Sequence, residues 1–371
     1  MVTLKRFCKK EPVLVCAAVC MLLSIPAQPP GMEYLEAIDF RVLALLFCLM
    51  AVVAGFQRCG LFELLAQKLL SGKRPVKVLV LSLVMLPFFV SMLVTNDVAL
   101  ITFVPFAILV LEHSGQQKLT GPVVVLQTIA ANLGSMATPV GNPQNLFLYS
   151  TYGFTPGQFF QAVLPYTAVS FVCLAVAALC CRGRACEVRF GQDQSIRKPG
   201  TLAVITVLFL LCLLCVFRVL PYGVVLALVC LGLLICDRSL FKSIDYALLA
   251  TFVCFFIFAD NIGAIPAVQS LLESVLSQSA LLASAAASQF ISNVPAAVLL
   301  SGFTQDGTGL LLGTDLGGLG TPIASLASLI SLKAFLKAQP QKAASYVLLF
   351  LVANVIGLVI LLAFARLLGA W

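Results

Sequence analysis

The chain has 371 residues, 61% hydrophobic and 10% charged, with a mean hydropathy of +1.07 and a formal net charge of +8. That composition excludes a soluble globular domain and predicts a polytopic membrane protein whose solvent is lipid. The positive charge makes no nucleic-acid face, because the basic residues sit in short loops between apolar runs, where they act as orientation signals.

Apolar runs of about 16–25 residues predict membrane helices at 12–28, 38–57, 158–181, 200–218, 221–236, 245–262 and 343–365. Residues 1–28 also have the basic start, apolar run and small residues near Ala27 of a secretory signal. A helix at the equivalent place in the second half, 221–236, favours a retained membrane helix instead. Asp39-Phe40 opens the next helix, and 60–71 follows as an interfacial amphipathic segment. The stretch 76–112 carries Thr95-Asn96-Asp97 at mid-length, which predicts a re-entrant hairpin with no net crossing.

Segment 118–150 contains Asn132-Leu-Gly-Ser-Met-Ala-Thr-Pro-Val140. Glycine weakens a helix and proline lacks a donor, so this segment predicts a broken helix whose freed backbone groups line a protected site. The polar linker 182–199 and one further crossing helix, 200–218, lead into a second copy of the same order. That copy has a helix from Asp245-Tyr246, an amphipathic segment at 264–278, and a hairpin over 279–303 with Ser292-Asn293-Val294 at its tip. A broken helix over 310–335 follows, with Asp315-Leu-Gly-Gly-Leu-Gly-Thr-Pro-Ile323 lying 183 residues after its first match.

The predicted fold is therefore all-α, with a first inverted repeat at 1–181, a cytoplasmic linker at 182–199, an extra crossing at 200–218 and a second inverted repeat at 219–371. It makes nine net crossings, N-terminus in and C-terminus out. This threading puts 20 of 23 basic residues inside, leaving Arg41, Arg218 and Arg366 outside. Four crossings per half plus the extra helix invert the halves, so the hairpin tips can meet near the midplane, as alternating access requires.

At each tip and break a helix starts, and its unsatisfied amides suit an anionic group. Asn and Ser are good caps there, and Pro295, Pro139 and Pro322 are predicted in the first turns of the outgoing helices. Thr95, Asn96, Thr138, Asn142, Ser292, Asn293, Thr321 and Ser325 are the candidate substrate ligands. Carbonyls around Gly134, Ser135, Gly317 and Gly318, with Asn132 and the acids Asp97 and Asp315, are the candidates for a coupling Na+ or H+. An acid near the bilayer centre costs roughly 2.5–3.5 kcal/mol, so either is a functional candidate, with an interfacial cap as the alternative. Asp260-Asn261 and Asp306 are weaker candidates, and His113, the single histidine, is expected in a solvated loop.

The 14 cysteines lie mostly in apolar helices and act as small hydrophobes. Cys212-x-x-Cys215 and the group Cys180, Cys181 and Cys186 lack the second pair that a metal site needs. No phosphate loop is present, so transport would run on an ion gradient or a separate motor subunit. Neither a nucleophile–base cluster nor a selectivity ring supports an enzyme or a channel.

Thr95-Asn-Asp-Val-Ala-Leu-Ile-Thr-Phe-Val-Pro105, Gly134-Ser-Met-Ala-Thr-Pro-Val-Gly-Asn-Pro-Gln-Asn145 and Ser292-Asn-Val-Pro295 resemble the ion transporter superfamily. The nearest look is its citrate-transporter-like permeases, related to divalent-anion/sodium symporters, over essentially the whole chain. The resemblance implies a homodimer in the bacterial inner membrane with a scaffold part and a moving part. Its hairpin tips would bind a small anion, such as a carboxylate, with a coupling cation. The Ser-Asn-Thr signature of the symporters falls on Thr95-Asn96-Asp97 and Ser292-Asn293-Val294, and neither triplet is complete. The run Asp315 to Leu329 and Asn96-Asp97 look as much like arsenite efflux permeases. Sodium/proton antiporters of the superfamily are a third reading.

Overall fold

The computed structural model describes residues 11–183, 186–188 and 195–370. Lys5, Arg6, Lys9, Lys10, Arg184 and Arg189, used above for orientation, lie outside the described residues, as do the side chains of 186–188.

The protein is helical almost throughout and built for a membrane. Phe40–Arg58, Asn96–His113, Pro156–Cys180, Pro199–Val216, Tyr246–Gly263 and Pro340–Leu367 are long and apolar enough to cross one, and Pro12–Ser24, Val76–Val90, Tyr222–Cys236 and Ala280–Ile291 are shorter apolar helices. The starts follow local chemistry. Asp39 and Asp245 cap their helices by accepting from Val42 N and Leu248 N, each at 2.9 Å. Pro143, Pro156, Pro199 and Pro266 take the first helical position, where a missing N–H costs nothing.

The first predicted hairpin is two helices, Val76–Val90 and Asn96–His113, both packed on Thr120–Ser135. The second is Ala280–Ile291 and Asn293–Ser301, separated by Ser292 alone. The first broken helix is Thr120–Ser135 and Pro143–Thr151; the second is Gly307–Leu316 and Leu326–Ala338. The far part of each broken helix packs on the outgoing arm of the other hairpin. Pro143–Thr151 lies against Asn293–Ser301, and Leu326–Ala338 against Asn96–His113. This exchange brings both breaks into one buried core.

Two sequence expectations need correction. The fold is not wholly α, because Gly72–Arg74 (β1) pairs antiparallel with Cys186–Val188 (β2), putting Lys73 opposite Glu187. Three-residue strands are too short to leave a period in the sequence. Pro139 and Pro322 do not start the outgoing helices. They sit in the breaks, and the helices begin at Pro143 and Leu326, where Asn142 and Ser325 hold the N-cap positions. Pro295 does lie in its first turn.

Buried polar groups are repaired from neighbouring helices. Pro87, inside the ingoing arm of the first hairpin, has no N–H for the Leu83 carbonyl four residues back. Gln127 Nε2 donates to that carbonyl at 2.9 Å from the adjacent broken helix.

Candidate functional site

The tips and breaks meet through a backbone bond that recurs in both halves. Asn96 N donates to Gly141 O at 3.2 Å, and Asn293 N donates to Ala324 O at 3.0 Å. Gly141 and Ala324 are themselves 183 residues apart, the spacing of the sequence repeat. A threonine latch recurs as well: Thr138 Oγ1 donates to Met92 O, and Thr321 Oγ1 to Gln289 O. Each hairpin tip is thereby fastened to the break of its own half.

Side chains then tie one break to the other in reciprocal pairs. Ser325 Oγ donates to Asn132 Oδ1 at 3.1 Å, and Asn142 Nδ2 donates to Asp315 Oδ1 at 3.2 Å. Asn132 and Asp315 occupy matched positions in the repeat, as do Asn142 and Ser325. Asn132 also accepts from Asn96 Nδ2 at 2.9 Å and donates to Gly318 O and Ser328 Oγ, each at 3.4 Å. Ser135 Oγ joins the two pairs, accepting from Asn142 at 3.2 Å and donating to Asn132 O at 2.9 Å.

The remaining candidates fall around this core. Gly134 lets two backbones touch, since a β-carbon there would stand 2.1 Å from Phe88 O. Gly317 accepts from Gln289 Nε2 at 2.9 Å. Thr95 and Asp97 line a cavity of about 280 Å³ with Asn142, Gln57 and Asp245. Among the described residues no donor meets the Asp97 carboxylate, and the lining includes no lysine, arginine or histidine. Asp315 is 2% exposed, and its Oδ2 has no partner.

The weaker candidates lie elsewhere. Asp306 caps Gly307–Leu316 by accepting from Gly309 N at 2.8 Å. Asn261 donates to Ser24 Oγ and Tyr34 OH. Asp260 borders a second cavity of about 510 Å³ with Asp39, Phe256 and Ser301. His113 is exposed at the end of its helix.

Gln144, Gln289 and Ser328 belong to this network and were not singled out by sequence. Gln144 Nε2 reaches Asp315 Oδ1 at 3.4 Å. Gln289 donates to Gly317 O and Leu319 O at 2.9 and 3.0 Å and accepts from Thr321 N at 2.9 Å, so one amide holds three backbone groups of the second break. An uncharged amide within an apolar hairpin arm was the available signal, because such a group must find partners in lipid.

The profile of the family described as citrate transporter matches residues 6–306, most of the chain. The protein belongs to the citrate transporter family. As a member of that family, it is 28% identical to the uncharacterized transporter MJ0456 of Methanocaldococcus jannaschii over 90% of this chain and 92% of that protein. Identity to the inner membrane protein YbiR of Escherichia coli is also 28%, over 86% of each chain. A shorter match, 31% identical, covers 44% of this chain and 35% of the silicon efflux transporter LSI3 of Oryza sativa. This family member is thus a multi-pass membrane transporter, with the paired tips and breaks as its most polar buried region.

Proposed function

We propose that the protein is a secondary active transporter of the cytoplasmic membrane that moves a small anion, a carboxylate on the sequence reading, coupled to Na+ or H+. Its two halves, 1–181 and 219–371, act as inverted repeats joined by the linker 182–199 and the helix 200–218. The hairpins and breaks carry cargo past a scaffold by elevator-like alternating access, in a homodimer. The reciprocal pairing of the breaks, Asn132 with Ser325 and Asp315 with Asn142, is the observation that carries this reading. A pairing that exchanges partners between halves suits a device with two opposite-facing states.

Thr95, Asn96, Thr138, Asn142, Ser292, Asn293, Thr321 and Ser325 form the cargo shell in this reading. Asp97, Asn132, Gly134, Ser135, Asp315, Gly317 and Gly318 serve the coupling ion. One observation favours the alternative of arsenite efflux or sodium/proton exchange. The cavity reaching the first tip carries two carboxylates, Asp97 and Asp245, and no basic side chain. Like charges at low dielectric repel an anion unless a cation or proton accompanies it.

A thermal-shift screen of the purified protein against citrate, succinate, malate, sulfate and arsenite, with sodium or potassium at two pH values, separates these readings. Stabilisation reaches about 2.7 kcal/mol at a hundredfold excess of ligand over its dissociation constant. An anion shift that requires sodium or low pH supports coupled anion transport. A response to sodium or pH alone, with no anion effect, overturns it in favour of cation exchange.

A further inference from the structure

One bond of the first half has no counterpart in the second. Asn96 Nδ2 donates to Asn132 Oδ1 at 2.9 Å, and the corresponding residues are Asn293 and Asp315. Asn293 is 4% exposed, yet its side chain makes no hydrogen bond among the described residues, and Asp315 Oδ2 is buried without a partner. Both residues border Gly318, where a β-carbon would stand 3.1 Å from Asn293 Nδ2 and 3.2 Å from the Asp315 carbonyl oxygen. The second tip is also strained. Ser292 has φ 72° and ψ 153°, in a region that is essentially glycine's, whereas Thr95 at the first tip is ordinary extended backbone at φ −68° and ψ 150°.

An unmet amide donor and an unmet carboxylate oxygen side by side are costly when buried, and such groups in native structures call for an explanation. A group that satisfies both must accept from the amide and donate to the carboxylate. A hydroxyl does both; an ionised carboxylate only accepts, and a metal cation meets only the acid. We propose that the space between Asn293 and Asp315 receives a hydroxyl of the cargo, which makes the transported solute a hydroxylated one. Two sources share that chemistry, a hydroxycarboxylate and the un-ionised form of an oxyacid. The inference rests on the reading that the hairpin tips bind cargo. It also sharpens that reading by dividing the acids, Asp97 to the coupling ion and Asp315 to the cargo hydroxyl.

The test uses matched pairs. Binding of malate against succinate, and of citrate against tricarballylate, is measured on the full-length protein at fixed sodium and pH, with arsenous acid as a hydroxylated solute that has no carboxylate. The hydroxylated member of each pair is expected to bind about tenfold or more tighter, since a site built for a hydroxyl penalises its absence. Binding of arsenous acid alone assigns the hydroxyl to an oxyacid. Asp315→Asn rebuilds the residue found at the matched position of the first half, so Asn293 gains the acceptor that Asn96 has, and the preference should fall to about twofold or less. Asn293→Ala removes the donor without breaking a bond and should also abolish the preference. Equal binding of hydroxylated and deoxy members by the unaltered protein, or a preference that survives both variants, overturns the inference and leaves the gap to a water or a cation. Failure of all five ligands to bind overturns the tip-binding reading together with it.

Discussion

In the first half, the hairpin tip and the break are closed on each other through Asn96 and Asn132, and Asn132 reaches on to Gly318, Ser325 and Ser328 in the second. In the second half the matched pair stays open. Asn293 and Asp315 keep an unmet donor and acceptor, the tip backbone is strained at Ser292, and Gln289 takes over the work of fastening hairpin to break. The position matching Gln289 is Met92, which offers the first break only its backbone carbonyl. The same architecture thus holds one half by its binding residues and the other by a residue outside them. That separation frees Asn293 and Asp315 for a ligand.

The comparison breaks most visibly at the glycines. Gly134→Ala would put a methyl 2.1 Å from Phe88 O, and Gly317→Ala would put one 2.8 Å from the Ala285 Cα, so both press a helix break against its hairpin. Overpacking costs about 1–3 kcal/mol and more against backbone, and we expect both variants to lose monodisperse protein on size exclusion. Gly157→Ala, which meets nothing within 4 Å, should behave as the unaltered chain.

Asparagine substitutions sharpen the contrast. Asn132→Ala leaves the Asn96 amide and the Ser325 hydroxyl without their acceptor, at about 1–3 kcal/mol for each buried group. Asn293→Ala removes no hydrogen bond of its side chain. The melting temperature should therefore drop clearly for the first and stay near the original for the second, and equal drops would contradict the asymmetry. Gln289→Leu tests the substitute fastening. It strips partners from Gly317 O, Leu319 O and Thr321 N, and a neutral bond is worth about 0.5–1.5 kcal/mol. Met92→Leu, at the matched position, should be nearly silent.

The smallest effect is expected away from the breaks, where Arg58 pairs with Asp237 at 3.2 Å and also donates to Ser239. The Ser239 hydroxyl, with Arg58 beside it, holds the Asp237 carboxyl below its ordinary value. A lowered folded-state pKa contributes stability above the unfolded value of about 3.9, and this is lost as pH falls through the folded value. Arg58→Ala should cost a few tenths of a kcal/mol at pH 7, typical of exposed pairs, and nothing once Asp237 is protonated. Melting curves across acid pH check both parts.

Much of the architecture was legible in the sequence because lipid removes alternatives. A Gly-rich stretch ending in Thr-Pro inside an apolar run can only be a break, and its recurrence after 183 residues located both. The helix ends lay within a few residues of expectation. The misplaced Pro139 and Pro322 have a physical reason. Each break is longer than a single turn, because Gly141 and Ala324 must offer carbonyls to the tips before the next helix begins. Gln127, Gln144 and Gln289 escaped notice because an amide carries no charge to mark it, although Pro87 signals that a carbonyl needs a donor. The β1–β2 pair was illegible at three residues per strand.

Uptake of labelled citrate, malate and succinate into proteoliposomes, driven by an imposed sodium or proton gradient, tests the account most directly. Protein carrying Asn96→Ala with Asn293→Ala serves as the control. Accumulation above the external concentration with at least one gradient, absent from the control, is the predicted result. Equilibration without accumulation under both gradients, or accumulation that survives the double substitution, would contradict it.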